Sequence, residues 1–274
     1  MKVAYFGYNA FSSCLDIFDR HHHEIVFIFT GETSPHTDQI IAFAERTSCP
    51  VSFDKPSLTQ METLVRDGVE CFFAAEYPWR IPIPTSLTFA INVHPSMLPH
   101  GKGPTPLPSL ILKKSQYSGV TLHKMTSKFD DGDILLQEAI PLNANESFDS
   151  LSAKLSVKTP LLLNKLLSNL DEYYQQSISQ PVGSYWPKLS REDQTIHWNS
   201  STAMISTQFR AFGSLGVYSD IDNQACLITA AEWELNSHSH LPGTILSANK
   251  ISLVITTKDG FVRIPRKNLF SIAD

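Results

Sequence analysis

Short apolar runs separated by amphipathic stretches fill the first half of this 274-residue chain. Runs at 3–6, 24–30, 71–75 and 89–93 are apolar almost throughout, whereas 12–20, 38–47 and 58–67 carry apolar residues at helical spacing. A strand that is apolar along its length needs cover on both faces, and strands alternating with helices supply it. The pattern predicts an α/β fold with a Rossmann-like, mostly parallel sheet and helices on both faces. Ligands of such sheets bind outside the carboxyl ends of the strands. Further strands are predicted at 119–125 and 134–141. A helix is predicted over 148–170, bent near Pro160, with Leu151, Leu155, Leu162, Leu166 and Leu170 on or near one face. Residues 175–187 are polar and contain Pro181, Gly183 and Pro187, the composition of a linker. An amphipathic helix at 202–212 follows, then short strands around 225–230, 243–246, 251–256 and 262–265, which read as a small antiparallel β domain.

Several function classes are disfavoured. No apolar run approaches the roughly 20 residues that cross a bilayer, so no membrane role is expected. The N-terminus reads as a first buried strand rather than a signal peptide. Cys14, Cys49, Cys71 and Cys226 are scattered, which suggests neither a zinc site nor a disulfide framework, and a reducing cytoplasm is the expected compartment. Gly7 is not part of a G-x-G-x-x-G, so a nicotinamide or flavin has little support. His21, His22 and His23 are adjacent and do not converge well on one ion; with His238 and His240 they read as solvated. The net charge of -5 shows no basic footprint for nucleic acid.

Chemistry concentrates at Asn92 and His94. They lie two apart at the end of the run 87–91, so alternation sends both side chains to the same side of a strand. An amide and an imidazole converging on one point can hold a polarised carbonyl oxygen and handle a proton. Asp130, 38 residues after Asn92, can orient or charge the imidazole from a later loop. The arrangement suits acyl transfer; its plain alternative is a satisfied buried polar pair. Asp130, Asp131 and Asp133 also invite a metal reading. Three carboxylates without regular ligand spacing support it poorly, so no metal is expected.

Asn92-Val93-His94-Pro95-Ser96-Met97-Leu98-Pro99, then Gly119-Val120-Thr121-Leu122-His123-Lys124-Met125, then Asp130-Asp131-Gly132-Asp133-Ile134-Leu135 closely resemble the folate-dependent formyltransferases. That group includes enzymes acting on methionyl-tRNA, on glycinamide ribonucleotide and on amino sugars. Ser184–Ser190, Ile196–Trp198 and Arg210–Phe212 resemble the start of the family's OB-like C-terminal domain. The resemblance implies a catalytic domain at 1–180, a linker at 181–200 and a small β domain at 201–274. It also implies 10-formyltetrahydrofolate as formyl donor, with Asn92, His94 and Asp130 as the catalytic residues. Asn92 would donate to the oxyanion, His94 would lie beside the reacting atoms, and Asp130 would set its protonation and relay protons. Asp131 stands where many relatives carry a small uncharged residue.

The segment Glu76–Pro82 resembles the family's pterin-cradling loop. Tyr77, Trp79, Ile81, Ser96, Met97, Leu98, Pro99, Met125, Phe129 and Asp133 are the residues expected to bind the donor, the apolar ones as walls of a slot. Core packing is the competing role for each apolar member. His100 and Lys102 are the basic groups available for an anionic tail or an acceptor phosphate, where relatives more often carry an arginine pair.

The tRNA-specific relatives hold the acceptor stem with a basic insertion after the second strand. The matching stretch here, 30–39, is short and has no lysine or arginine. With the net charge, this argues against tRNA and for a small-molecule or carrier-bound amine: an amino-sugar nucleotide, a siderophore-type amine or an aminoacyl group. A methionyl-tRNA acceptor, donor hydrolysis and an inactive folate-binding protein are the competing functions. The sequence leaves a homodimer open.

Overall fold

The structure is a computed structural model, described over residues 1–272. It divides into two compact units. The first comprises Met1–Pro106, Tyr117–Pro141 and Ser152–Trp186. The second takes Leu107–Gln116, Leu142–Leu151 and the described residues from Pro187 onward.

The first unit is built on a seven-stranded sheet of order β3-β2-β1-β4-β5-β6-β7. Its strands are β1 (Lys2–Gly7), β2 (Glu24–Phe29), β3 (Val51–Ser52), β4 (Val69–Ala75), β5 (Phe89–His94), β6 (Gly119–Lys124) and β7 (Ile134–Ala139). The first five are parallel; β6 pairs antiparallel with β5 and with β7. The loop 125–133 between β6 and β7 holds no helix, so the chain returns without a crossover. Continuous apolar strands are here because both faces are covered: Val3, Ala4, Tyr5 and Phe6 are all fully buried. On one face Phe6 stacks on Phe29 at 4.7 Å and meets the edge of Phe72. On the other, Tyr5 and Phe18 pack against Phe73.

Helices α1 (Leu15–Arg20), α2 (Asp38–Thr47) and α3 (Leu58–Arg66) serve the parallel half of the sheet. Ser57 starts α3 by accepting from the Gln60 N–H, and Ser48 ends α2 in the left-handed region. Helix α4 (Pro106–Leu112) lies between β5 and β6 in the chain. The helix expected over 148–170 is α5 (Phe148–Leu167), with Pro160 inside it; the chain breaks at Asn169 and resumes as α6 (Leu170–Gln175).

In the second unit α7 (Thr202–Phe212) packs with two antiparallel sheets. One has order β10-β13-β12-β11, from β10 (Glu232–Leu235), β11 (Ile245–Ala248), β12 (Ser252–Thr256) and β13 (Gly260–Pro265). The other joins β14 (Leu269–Ser271), β9 (Gln224–Ile228) and β8 (Val217–Ile221). Phe209, Phe212, Val217, Ile228, Leu253 and Ile264 form their shared core. Of residues 181–200, Pro181–Trp186 belong to the first unit, where Tyr185 bridges to Lys102. The remainder is built into the second, with Ile196 buried and Thr195 bridged to Tyr218. Among the described residues no helix is long and apolar enough to cross a membrane.

Candidate active site

Register sets the site. Ala74 of β4 stands beside Asn92 and His123 of β6 stands opposite it, while His94 faces Thr121. Asn92 is half-buried; His94 and His123 are buried. Asp130 arrives from the loop after β6, is 7% exposed, and holds a left-handed φ of 54°. That conformation is uncommon outside glycine, though aspartate tolerates it better than most, and it turns the carboxylate toward the strand end.

The hydrogen bonds assign the protons. His123 Nδ1 lies 2.8 Å from the Lys124 carbonyl, which only accepts, so Nδ1 carries the hydrogen. Its Nε2 is then a lone pair, and it accepts from the Asn92 amide nitrogen at 3.0 Å. Burial, opposed by the Asp130 charge, lowers the His123 pKa to about 4, so this ring is neutral at ordinary pH. One amide hydrogen of Asn92 is thereby fixed, and the other is left for a ligand. His94 Nε2 meets the Gly101 carbonyl at 2.8 Å and likewise carries a hydrogen. Its Nδ1 lies 3.3 Å from Asp130 Oδ1. The second Asp130 oxygen accepts the Gly103 N–H at 2.9 Å. Asp130 is thus placed to orient the His94 ring and to exchange a proton with it.

The segment 99–103 that supplies these backbone groups is held down locally. Ser184 N–H donates to Pro99 O, and Lys102 and Trp186 exchange backbone hydrogen bonds with Ser184 and Lys102 in turn. A Cβ at Gly103 would run into the Trp186 carbonyl, and its φ of +123° also demands glycine.

The residues expected to bind a folate fall into three groups. Trp79 and Phe129 present ring surface at the sheet edge: Phe129 is 52% exposed with the Arg80 guanidinium over it, and Lys55 lies over Trp79. Tyr77, Ile81 and Met125 pack against the Ala4–Phe6–Phe72 cluster, and Leu98 is buried. Ser96, Pro99 and Asp133 make internal hydrogen bonds: Ser96 to His100 O, Pro99 O from Ser184, and Asp133 from Ser177 and Ser179. Met97 lies against Gly119, its N–H on Tyr117 O. The two expected basic groups are engaged, Lys102 with Asp131 at 2.7 Å and His100 stacked on Tyr117 at 3.8 Å. Lys102 holds the Asp131 carboxyl below its ordinary pKa. Among the described residues no group of His, Cys, Asp or Glu gathers that could hold a metal.

Two family models match the chain. Residues 85–166 match the formyl transferase family and 188–269 match its formyl transferase C-terminal domain. The chain belongs to the folate-dependent formyltransferase family. A methionyl-tRNA formyltransferase from Caldicellulosiruptor saccharolyticus is 30% identical over 65% of this chain and 58% of that protein. One from Staphylococcus aureus is 29% identical over 73% and 66%. The chain thus spans about three-fifths to two-thirds of the length of these relatives. In fold it resembles the N-formyltransferase of Helicobacter canadensis, solved with folinic acid and dTDP-3-aminofucose. That match has a TM-score of 0.70 at 19% identity and covers 98% of this chain and 99% of that one. It also resembles HypX of Aquifex aeolicus solved with tetrahydrofolic acid, at TM-score 0.68 and 21% identity, over 99% of this chain and 46% of that one.

Proposed function

We propose that this chain transfers the formyl group of 10-formyltetrahydrofolate to a primary amine of a small or carrier-bound acceptor. The observation that carries the reading is the convergence of Asn92, His94 and Asp130 at one strand end, with Asn92 aimed by His123. The donor supplies a formyl carbon already activated by its bond to nitrogen. The free amide hydrogen of Asn92 stabilises the oxyanion formed when the amine attacks, worth about 100- to 1,000-fold in rate. His94, whose two nitrogens face the Gly101 carbonyl and Asp130, lies beside that oxyanion. Asp130 takes a proton from the attacking amine and passes it toward the leaving nitrogen as the carbon–nitrogen bond breaks. Trp79 and Phe129 suit the flat pterin, and Arg80 suits the anionic tail.

A small acceptor is favoured over tRNA because the loop at 30–39 brings no lysine or arginine and is occupied internally. Thr37 accepts from Ser34 N–H and donates to Glu32 O, while Asn9 bonds to Pro35 O and Asp38. The test is Asn92→Ala and His94→Ala: each is expected to lose at least about 100-fold in transfer while fold and folate binding persist. Near wild-type turnover in both would refute the mechanism.

A further inference from the structure

Three backbone N–H groups follow β1, where the loops after β1 and β4 leave the sheet. In a doubly wound sheet this switch-point crevice is where an anionic ligand such as a phosphate meets free backbone donors. Here the donors are taken. Tyr8 N–H donates to Ala75 O at 3.4 Å, Asn9 N–H to His36 O at 2.8 Å, and Ala10 N–H to Glu76 Oε2 at 3.3 Å. The third acceptor is a carboxylate, so an anion of the protein stands where a phosphate would.

Glu76 follows directly on β4 with φ of 63°, a backbone state that glutamate rarely adopts. Glu76 is exposed as a residue, with its carboxyl partly enclosed by the loops, and among the described residues no lysine or arginine forms an ion pair with it. Desolvation by the surrounding loops raises its pKa, against the Ala10 hydrogen bond and the His36 charge. One phenol, Tyr8, is close enough to feel its charge. Tyr8 packs across Gly31, where a Cβ would come within 2.8 Å of the hydroxyl, and the Glu76 charge adds to burial in raising the Tyr8 pKa. Tyr77 is next in the chain, its hydroxyl buried without a hydrogen-bond partner among the described residues. A carboxylate beside an aromatic ring is chemistry that seats an ammonium. It is also near the reaction: Ala75 pairs with Val93, so Glu76 leaves the sheet level with His94, one strand spacing (about 5 Å) away.

We propose that Glu76 is a specificity-determining residue that admits acceptors carrying a second ammonium group and turns away those carrying a phosphate at this crevice. The assignment rests on the formyl-transfer reading and narrows its acceptor class to diamines and basic amino compounds. The experiment measures kcat and KM with saturating 10-formyltetrahydrofolate for a linear alkyl diamine, the monoamine of equal length, and an amino sugar linked to a nucleoside diphosphate. Wild type, Glu76→Gln and Glu76→Asp are compared, with circular dichroism as the check on folding. The diamine is expected to lead in kcat/KM by roughly tenfold, the lower range for a hydrogen bond to a charged group. Glu76→Gln is expected to remove that lead mainly through KM, and Glu76→Asp to retain part of it. A wild-type preference for the nucleotide-linked sugar, or an unchanged diamine KM in Glu76→Gln, overturns the assignment while leaving formyl transfer standing. No transfer to any amine overturns formyl transfer itself, and the assignment with it.

Discussion

Replacing His123 with phenylalanine separates the two jobs the ring performs. His123 is 2% exposed, accepts from Asn92 and donates to the Lys124 carbonyl. A neutral buried histidine binds a proton less readily folded than unfolded, so stability falls as pH drops from its unfolded pKa near 6.5 toward about 4. Integrating between those values gives a loss of about 1 kcal/mol by pH 5.5, growing to roughly 3 kcal/mol near pH 4. His123→Phe is expected to lack this part of the acid dependence. At neutral pH it is expected to be less stable by about 1–3 kcal/mol, because the Lys124 carbonyl and one Asn92 hydrogen lose their partners. Its kcat is expected to fall about 10- to 100-fold, since an unheld amide donates to the oxyanion only part of the time. Urea unfolding at several pH values between about 4 and 7 reads the first two effects, and steady-state kinetics the third. Parallel pH dependence in wild type and variant would refute the proton assignment at His123, and with it the account of how Asn92 is aimed.

Gly103→Ala is expected to cost at least about 1–3 kcal/mol, since its Cβ meets backbone at a positive φ, and to lower kcat by moving the N–H that holds Asp130. Thermal melts and kinetics check both; an unchanged kcat would show that Asp130 does not need that bond. Asp130→Asn is expected to cut transfer about 100-fold or more while leaving KM for the donor nearly unchanged. Total tRNA is expected not to bind measurably at physiological salt, and a tight, salt-sensitive complex in a filter-binding titration would reverse the choice of acceptor.

How much of this was legible from sequence differs from residue to residue. Asn92 and His94 were readable because strand alternation alone puts them on one side, and Asp130 because its distance along the chain follows a family pattern. His123 lies in one of the quoted motifs, yet a histidine among apolar strand residues reads as core. Only the antiparallel register of β6 on β5 places it opposite Asn92, and spacing along the chain does not reveal that register. Glu76 was read as part of a pterin loop; its contact with Ala10 depends on a left-handed turn that propensity does not forecast. Strand β10 escaped prediction although Glu232, Trp233, Glu234 and Leu235 alternate polar and apolar, because four residues are too short a run for the pattern to stand out. The basic role expected of Lys102 and His100 was not foreseeable either way, because Asp131 and Tyr117 engage them through neighbouring loops.

The most direct test of the central claim follows an isotopically labelled formyl group from 10-formyltetrahydrofolate into amine acceptors, in wild type and Asn92→Ala, with an amine-free control. Label on the amine in wild type, lost in the variant and absent from formate in the control, is the expected result. Label released as formate at the full rate without any amine, or unchanged transfer by Asn92→Ala, would contradict it.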